Sequence, residues 1–369
     1  MTKVISLFNH KGGVSKTTTT FNLGWTFAEL GLKTLIVDAD PQCNLTAYVL
    51  GLEENQELDL FYNSKQNDDI HSAISPIISG QNVQPRAVNV AKTKHDNLLL
   101  VAGNIAMAEL DVSLSVGLAG GRFLSFAEQF IGAFNVVIRE TARVNKCDIV
   151  LVDMSPSASA LNRCILMGSD YFIIPTSPDF FCYQAIQSLS KMLPQWNEDF
   201  QPFRKQTIKN PLPENPPKML GIVSQKYRPH KTSNKDKAKS FQIWIDKIQG
   251  ASQNVLAKEL IKHNMVIDED LFNKYVHNDE QPYNLISIAD FNSLIAKSQE
   301  KSKPIFELTK QELEQSGTIL ETSISNQNKF RELFTTFAVS VAGLVGLETK
   351  VADKEKFDNA IIKASKPLK

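Results

Sequence analysis

The chain has 369 residues, and its 40 Lys and Arg residues are balanced by 40 Asp and Glu, so its net charge produces no overall attraction to nucleic acid or to membranes. That length fits one large domain or two. No stretch approaches the ~20 apolar residues of a membrane-spanning helix, and we expect no targeting segment before the first strand. The four cysteines form no C-x-x-C pair, which argues against a zinc or iron–sulfur site. These features predict a cytoplasmic protein.

The first predicted element is an apolar strand at residues 4–8, and a glycine-rich loop connects it to a helix that begins near Thr17. Adjacent glycines allow successive N–H groups to face one anion, the helix start adds a positive end, and Lys16 adds a full charge. Two outer glycine positions of the usual phosphate loop hold His10 and Ser15 instead, and Lys11 is a second lysine. The predicted nucleotide-binding residues are Lys11, Gly12, Gly13, Val14, Ser15, Lys16, Thr17 and Thr18.

Carboxylates follow two later apolar runs. Asp38 and Asp40 come at the end of the run at 34–37, within the segment D-A-D-P-Q, and Asp153 ends the run at 149–152. A charge at the end of a buried strand is costly unless it meets a cation or hydrogen-bond donors, and Mg²⁺ is a natural partner for Asp153. Asp38 and Asp40 also fit the simpler interpretation of strand-end or helix-capping carboxylates.

Most of the predicted strands are continuous apolar runs, which is typical of strands that are buried on both faces of a sheet. Helical patterns alternate with them, so the sequence predicts an α/β fold with a doubly wound, mostly parallel sheet and helices on both faces. Open sheets of this kind bind ligands at the carboxyl ends of the strands, where the loop, Asp40 and Asp153 should meet. The predicted strands are 4–8, 34–37, 97–101, 149–152, 171–174 and 220–223.

Taken together, K-G-G-x-x-K-T, then D-x-D-P-Q, then an apolar strand ending in Asp153 resembles the ParA/MinD family of deviant Walker A P-loop ATPases. The landmarks follow the family's order over residues 1–228, and they are closest to the ParA/Soj-type partitioning ATPases. The resemblance implies a P-loop NTPase fold, ATP and Mg²⁺ as cofactors, and a homodimer that forms on ATP. It also implies that Lys11 reaches the nucleotide of the other subunit.

The same resemblance implies the roles of individual residues. Lys16 and the loop amides would hold the β- and γ-phosphates, and Thr18 the α-phosphate. Thr17 and Asp153 would hold Mg²⁺, with Asp38 in the same metal shell, while Asp40 would orient or deprotonate the attacking water. The catalytic residues are therefore expected to be Lys11, Lys16 and Asp40.

The C-terminal half departs from the family's compact plan. Residues 1–350 are predicted to form a single ATPase domain with a helical elaboration at about 230–280, followed by a tail at 351–369. Between Gln201 and Gly250 there are eleven Lys and Arg residues against three Asp and Glu. This basic stretch is either a solvated loop or a site for nonspecific contacts with DNA phosphates. The candidate DNA-binding residues are Lys226, Arg228, Lys231 and Lys235.

Three functions fit these patterns. The first is a ParA-like ATPase that positions a plasmid, chromosome or other cargo on the nucleoid, with a centromere-binding or adaptor protein that stimulates hydrolysis. The second is a MinD-like ATPase at a membrane surface, which would need an amphipathic helix at residues 354–369; the few large apolar residues there make membrane binding unfavourable. The third is a P-loop enzyme that acts on a small molecule.

Overall fold

The computed structural model describes residues 2–52, 57, 60–62, 64, 68–81, 83–120, 128–227, 235–276, 282–291 and 294–351, and for residues 226–227 and 235–240 the backbone alone. Eight strands in this part of the chain form one sheet in the order β3-β4-β2-β5-β1-β6-β7-β8. The strands are β1 (Lys3–Leu7), β2 (Thr34–Asp38), β3 (Ala91–Lys92), β4 (Leu98–Val101), β5 (Ile149–Asp153), β6 (Tyr171–Thr176), β7 (Lys218–Tyr227) and β8 (Asn284–Ala289).

All of the neighbouring strands pair in parallel except β3, which is antiparallel to β4 at one edge. The central strands β2 and β5 are buried at every residue, as their continuous apolar runs predict. The predicted fold class is confirmed. All six predicted strands form, although β7 is longer than predicted, and the sequence interpretation missed β3 and β8 at the two edges.

Helices cover both faces of the sheet. In chain order the described helices are α1 (Lys16–Glu29), α2 (Asn44–Leu50), α3 (Ile70–Ile78), α4 (Leu110–Gly120), α5 (Glu128–Ile131), α6 (Ala133–Val144), α7 (Ala160–Gly168), α8 (Phe180–Phe200), α9 (Lys235–Ala251), α10 (Lys258–Lys262), α11 (Glu269–Tyr275), α12 (Leu294–Glu300), α13 (Lys310–Leu313) and α14 (Gly317–Leu344). None of these helices combines the length and apolar character that are needed to cross a bilayer.

The described part of the predicted elaboration at about 230–280, residues 235–276, contains helices α9 to α11. Helix α9 continues through a π-helical turn at Ser252–Ala257 into α10, and this long element packs on α8. Its buried apolar residues include Ile248 and Leu256, whereas Ile243 is 53% exposed. The strands before and after this segment, β7 and β8, belong to the same sheet as the other six. The boundary between a core domain and an elaboration therefore stays a prediction.

Helix α14, the last of the described α-helices, packs against α1 and so supports the loop that precedes α1. Arg331 of α14 donates to a carboxylate oxygen of Glu29 in α1 at 3.0 Å. The backbone N–H of Ile305 donates to Oδ1 of Asn22, also in α1, at 3.3 Å. Residues far apart in the chain therefore hold α1, whose first turn forms part of the candidate site.

A glycine allows α14 to approach α11 closely, and this gives a test of the fold. A Cβ at Gly343 would lie 2.3 Å from Cδ1 of the Tyr275 ring, which is 9% exposed. We expect Gly343→Ala to lower the free energy of unfolding by about 1–3 kcal/mol, because the ring must move within a packed core. Urea denaturation measures the change.

The matched control is Gly250→Ala in α9. Among the described atoms, a Cβ at Gly250 meets nothing within 4 Å. Because Ala has the higher helix propensity, this variant should be more stable than the wild type by about 0.5–1 kcal/mol. Equal destabilisation by both substitutions would show that the contact between α14 and α11 is not the cause.

Candidate active site

The loop between β1 and α1 is held in a tight curve by its own backbone and by Asn9. Gly13 has φ +73° and Ser15 has φ 56°, so both residues are in the left-handed region. Glycine adopts this conformation at little cost in free energy. The side-chain amide of Asn9 donates to the carbonyl of Pro175 at 2.8 Å, and its Oδ1 accepts the N–H of Lys11 at 3.0 Å. Ser15 precedes α1 without a side-chain cap, so the first N–H groups of this helix are available to an anion.

Lys16 lies at the centre of this curve and is 8% exposed. Its ammonium donates to the carbonyls of Asn9 at 3.3 Å and Lys11 at 3.4 Å. Burial lowers the pKa of Lys16, while the nearby carboxylates of Asp153 and Asp40 oppose that shift. A cation that is removed from water and held beside free N–H groups suits a phosphate group.

Asp153 is the last residue of β5 and faces the start of α1. Its Oδ2 accepts a hydrogen bond from Oγ1 of Thr17 at 2.6 Å, and its Oδ1 accepts one from Oγ1 of Thr20 at 3.4 Å. Burial raises the pKa of Asp153 to about 7, the adjacent charge of Asp38 adds to the shift, and the bond from Thr17 opposes it. A carboxyl of this kind gives up its proton readily when a divalent cation binds.

Asp38 pairs in register with Asp153 on the neighbouring strand, but its side chain is already used within the chain. Its Oδ2 accepts the N–H and the hydroxyl of Thr46, both at 2.7 Å, and its Oδ1 accepts the N–H of Asp40 at 3.2 Å. Complete burial raises the pKa of Asp38 to about 6. Gly103 leaves room for this arrangement, because a Cβ there would lie 3.0 Å from Cγ of Asp38. Asp38 is thus placed to support the position of Asp153 from the neighbouring strand.

The phosphate loop opens into a cavity of about 750 Å³ at the carboxyl edge of the sheet, a volume within the usual range for ligand sites. Asp40 lines it, is 7% exposed, and accepts the N–H of Gln42 through Oδ1 at 2.9 Å. The far wall belongs to α2 and α12, which the sequence interpretation did not assign to the site. The lining residues include Gly12 to Thr18, Asp40, Gln42, Tyr48, Ile295 and Gln299.

The donor set fits a magnesium–nucleotide complex better than a metal held by protein alone. Among the described residues, no group of three or more His, Cys, Asp or Glu side chains could hold a metal ion. Mg²⁺ is usually bound through one or two carboxylates together with substrate phosphates. Asp153 with the hydroxyl of Thr17, beside the phosphate loop, offers that combination.

Lys11 belongs to the loop, but its side chain does not line the cavity. Its ammonium forms an ion pair with Asp179, the residue that precedes α8. The two lysines of the loop therefore differ in position, since Lys16 is buried under the loop and Lys11 lies on its rim. Sequence reasoning missed Asp179, although its place between the predicted strand at 171–174 and the helix that begins at Phe180 was the available signal.

The candidate DNA-binding residues mostly lie outside the description. Arg228 and Lys231 are not among the described residues, and the side chains of Lys226 and Lys235 are not described. What the structure places is the backbone on either side, the end of β7 and the start of α9. Their contact with DNA stays a prediction.

A family model described as an AAA domain matches residues 2–205. The chain belongs to this family. It is 29% identical over 193 residues to the sporulation initiation inhibitor protein Soj of Bacillus subtilis, covering 52% of this chain and 64% of that protein. It is 27% identical over 198 residues to the chromosome-partitioning ATPase Soj of Thermus thermophilus, covering 54% of this chain and 64% of that protein. The predicted membership of the ParA/MinD family is confirmed.

The matched part spans less than two thirds of either Soj protein. Among solved structures, a Corynebacterium diphtheriae protein superposes with a TM-score of 0.56 at 19% identity, covering 81% of this chain and 97% of that one. This likeness shows the shared fold, which agrees with the sheet topology described above.

Proposed function

We propose that this protein is a ParA-like ATPase that dimerises on ATP, hydrolyses it slowly and binds DNA nonspecifically to position a plasmid, a chromosome or another cargo. The observation that carries the proposal is that the two lysines of the loop occupy different positions. Lys16 is buried beside the cavity, whereas Lys11 is on the rim and directed to Asp179. The family membership and the similarity to the Thermus chromosome-partitioning ATPase support the same function.

Within the cavity, each residue has a distinct proposed role. The N–H groups of residues 12–17 and the ammonium of Lys16 bind the β- and γ-phosphates, and Thr18 contacts the α-phosphate. Thr17 and Asp153 would hold Mg²⁺, which would supply positive charge to offset the charge that develops on the phosphates. Asp38, whose Oδ2 is held by Thr46, would support the metal shell from the strand beside Asp153.

Asp40 is the proposed group that orients the attacking water. It lines the cavity, and its Oδ1 is fixed by the N–H of Gln42 at 2.9 Å, so its direction is set before a nucleotide binds. Lys11 supplies positive charge to the γ-phosphate of the second subunit. Hydrolysis then depends on dimerisation, and a centromere-binding or adaptor protein that stimulates it would act on the dimer.

DNA binding is the part of the proposal that the basic stretch carries, and it has a direct test. Replacing Lys226, Arg228, Lys231 and Lys235 together by Gln should weaken binding to a random duplex by at least tenfold at low salt in the presence of Mg-ATP. The reason is that each neutralised phosphate releases about 0.9 of a counterion, so the slope of log affinity against log salt should flatten as well. Fluorescence anisotropy measures both quantities.

The first control is the nucleotide, because the wild type should bind the duplex more weakly with Mg-ADP than with Mg-ATP. The second control is the ATP affinity of the quadruple variant, which should equal that of the wild type. A quadruple variant that binds duplex as the wild type does would return the stretch to a solvated loop. Flotation with anionic liposomes, run in parallel, tests the MinD-like alternative, whose candidate helix at 354–369 lies outside the described residues. Phosphate transfer to a small molecule instead of water would favour the third function.

A further inference from the structure

We propose that Asp179 is a positioning residue that holds Lys11 within its own subunit until a second subunit presents a nucleotide. This inference rests on the proposed role of Lys11 in the dimer. It adds that the readiness to dimerise is set by an ion pair inside each protomer.

The ion pair is built into two elements that meet at the edge of the site. Asp179 caps α8, because its Oδ1 accepts the N–H of Cys182 at 2.9 Å. Its other oxygen, Oδ2, accepts from the ammonium of Lys11, which is 168 residues away in the chain. One carboxylate thus performs both tasks, and the helix start fixes its direction.

The backbone of Lys11 is anchored independently of this pair. Its N–H donates to Oδ1 of Asn9 at 3.0 Å, and its carbonyl accepts from Lys16 at 3.4 Å. Asn9 in turn donates to the carbonyl of Pro175 in β6 at 2.8 Å. Release of Lys11 from Asp179 therefore requires rotation of one side chain, without a change in the phosphate loop.

The environment makes the pair reversible. The side chains of Lys11 and Asp179 are 24% and 36% exposed, so water screens their attraction. The γ-phosphate of a nucleotide that is bound to the second subunit carries more negative charge than one carboxylate. It can therefore replace Asp179 as the partner of Lys11. Each pair is a restraint on its own Lys11 of about two- to fivefold, as for other partly exposed ion pairs, and a homodimer contains two of them.

The test is Asp179→Asn in the full chain. Asn caps helices as well as Asp does, so α8 keeps its start while the ion pair is lost. In nucleotide-free protein, the rate at which a trace acylating reagent labels the Lys11 amine, read by peptide mass spectrometry, should rise about two- to fivefold. By sedimentation, the dimer dissociation constant at limiting Mg-ATP should fall by about four- to 25-fold, the square of that factor, because each of the two protomers releases one such pair.

Two further variants separate the ion pair from other effects. Asp179→Glu keeps the charge, so labelling and dimerisation should return toward the wild-type values. Glu140→Gln removes an exposed ion pair with Arg143 on α6 and should change neither readout. Equal shifts in Asp179→Asn and Asp179→Glu would show that the negative charge at position 179 is not what restrains Lys11, and would overturn the proposal.

The remaining outcomes distinguish this inference from the proposed function. If the wild type dimerises on Mg-ATP but Asp179→Asn shows unchanged labelling or unchanged dimerisation, the restraint is wrong and the proposed function stands. If neither the wild type nor Asp179→Asn dimerises on Mg-ATP, the proposed function is wrong, and the proposed restraint is wrong as well because it depends on that function.

Discussion

Replacing Lys16 by Ala is expected to weaken ATP binding by at least about 100-fold, because charge-assisted hydrogen bonds to phosphate are lost at a buried position. Lys16 already lies under the loop with its ammonium near the carbonyls of Asn9 and Lys11, so it needs little reorganisation to meet a phosphate. Isothermal calorimetry with Mg-ATP measures the loss. Undiminished affinity would rule out the assignment of this loop.

The controls show that the loss is local. Lys3→Ala removes a lysine from the opposite end of β1 and should leave ATP affinity unchanged. Lys16→Ala should itself stay folded, since it removes a buried charge whose desolvation is unfavourable, and thermal denaturation without nucleotide verifies this. Thr17→Ala should weaken Mg²⁺-dependent binding more than metal-free binding, because its hydroxyl donates to Asp153.

Asp40→Ala and Lys11→Ala are expected to block hydrolysis at different stages. Asp40→Ala should bind ATP, remain dimeric and hydrolyse at least about 100-fold more slowly, the usual effect of losing a group that activates water. Lys11→Ala should bind ATP with wild-type affinity, since Lys11 does not line the cavity, yet fail to form a stable dimer. Its hydrolysis should fall by about 1,000-fold, as for other charges supplied from a second subunit. Light scattering after size exclusion separates the two variants.

Mixing these two variants decides whether Lys11 acts across the dimer. In a mixed dimer, the site of the Lys11→Ala subunit still contains Asp40 and receives an intact Lys11 from the Asp40→Ala subunit. The mixture should therefore hydrolyse ATP faster than either variant alone. If it does not, while Lys11→Ala alone dimerises normally, Lys11 acts within its own subunit and an ordinary P-loop enzyme becomes the better interpretation.

Short-range patterns in the sequence were enough to predict the centre of the sheet and the phosphate loop. Continuous apolar runs predicted β1, β2 and β5 because strands buried on both faces tolerate few polar residues. The two edge strands were missed because β3 has two residues and β8 is interrupted by Ser287. Their pairing depends on a neighbouring strand that is already in place, which local composition does not reveal.

The roles of the carboxylates show the same division at the site. Sequence position alone made Asp38 and Asp40 equivalent candidates at the end of one strand. Tertiary packing separated them, since Asp38 is enclosed by Thr46 and Gly103 while Asp40 lines the cavity. Asp38 ends β2 and Asp40 follows two residues later, so the sequence places both carboxylates at the same edge of the sheet. The residues that surround each side chain come from other parts of the chain.

The sequence by itself determined which groups could bind a phosphate, because glycines, a lysine and a helix start act through neighbouring backbone. Only the tertiary structure decided where the second lysine goes and what forms the far wall of the cavity. Lys11 meets Asp179, and α2 meets α12, through contacts between residues more than 160 positions apart. Such contacts follow from the packing of helices on the sheet, and no spacing in the sequence encodes the distance between them.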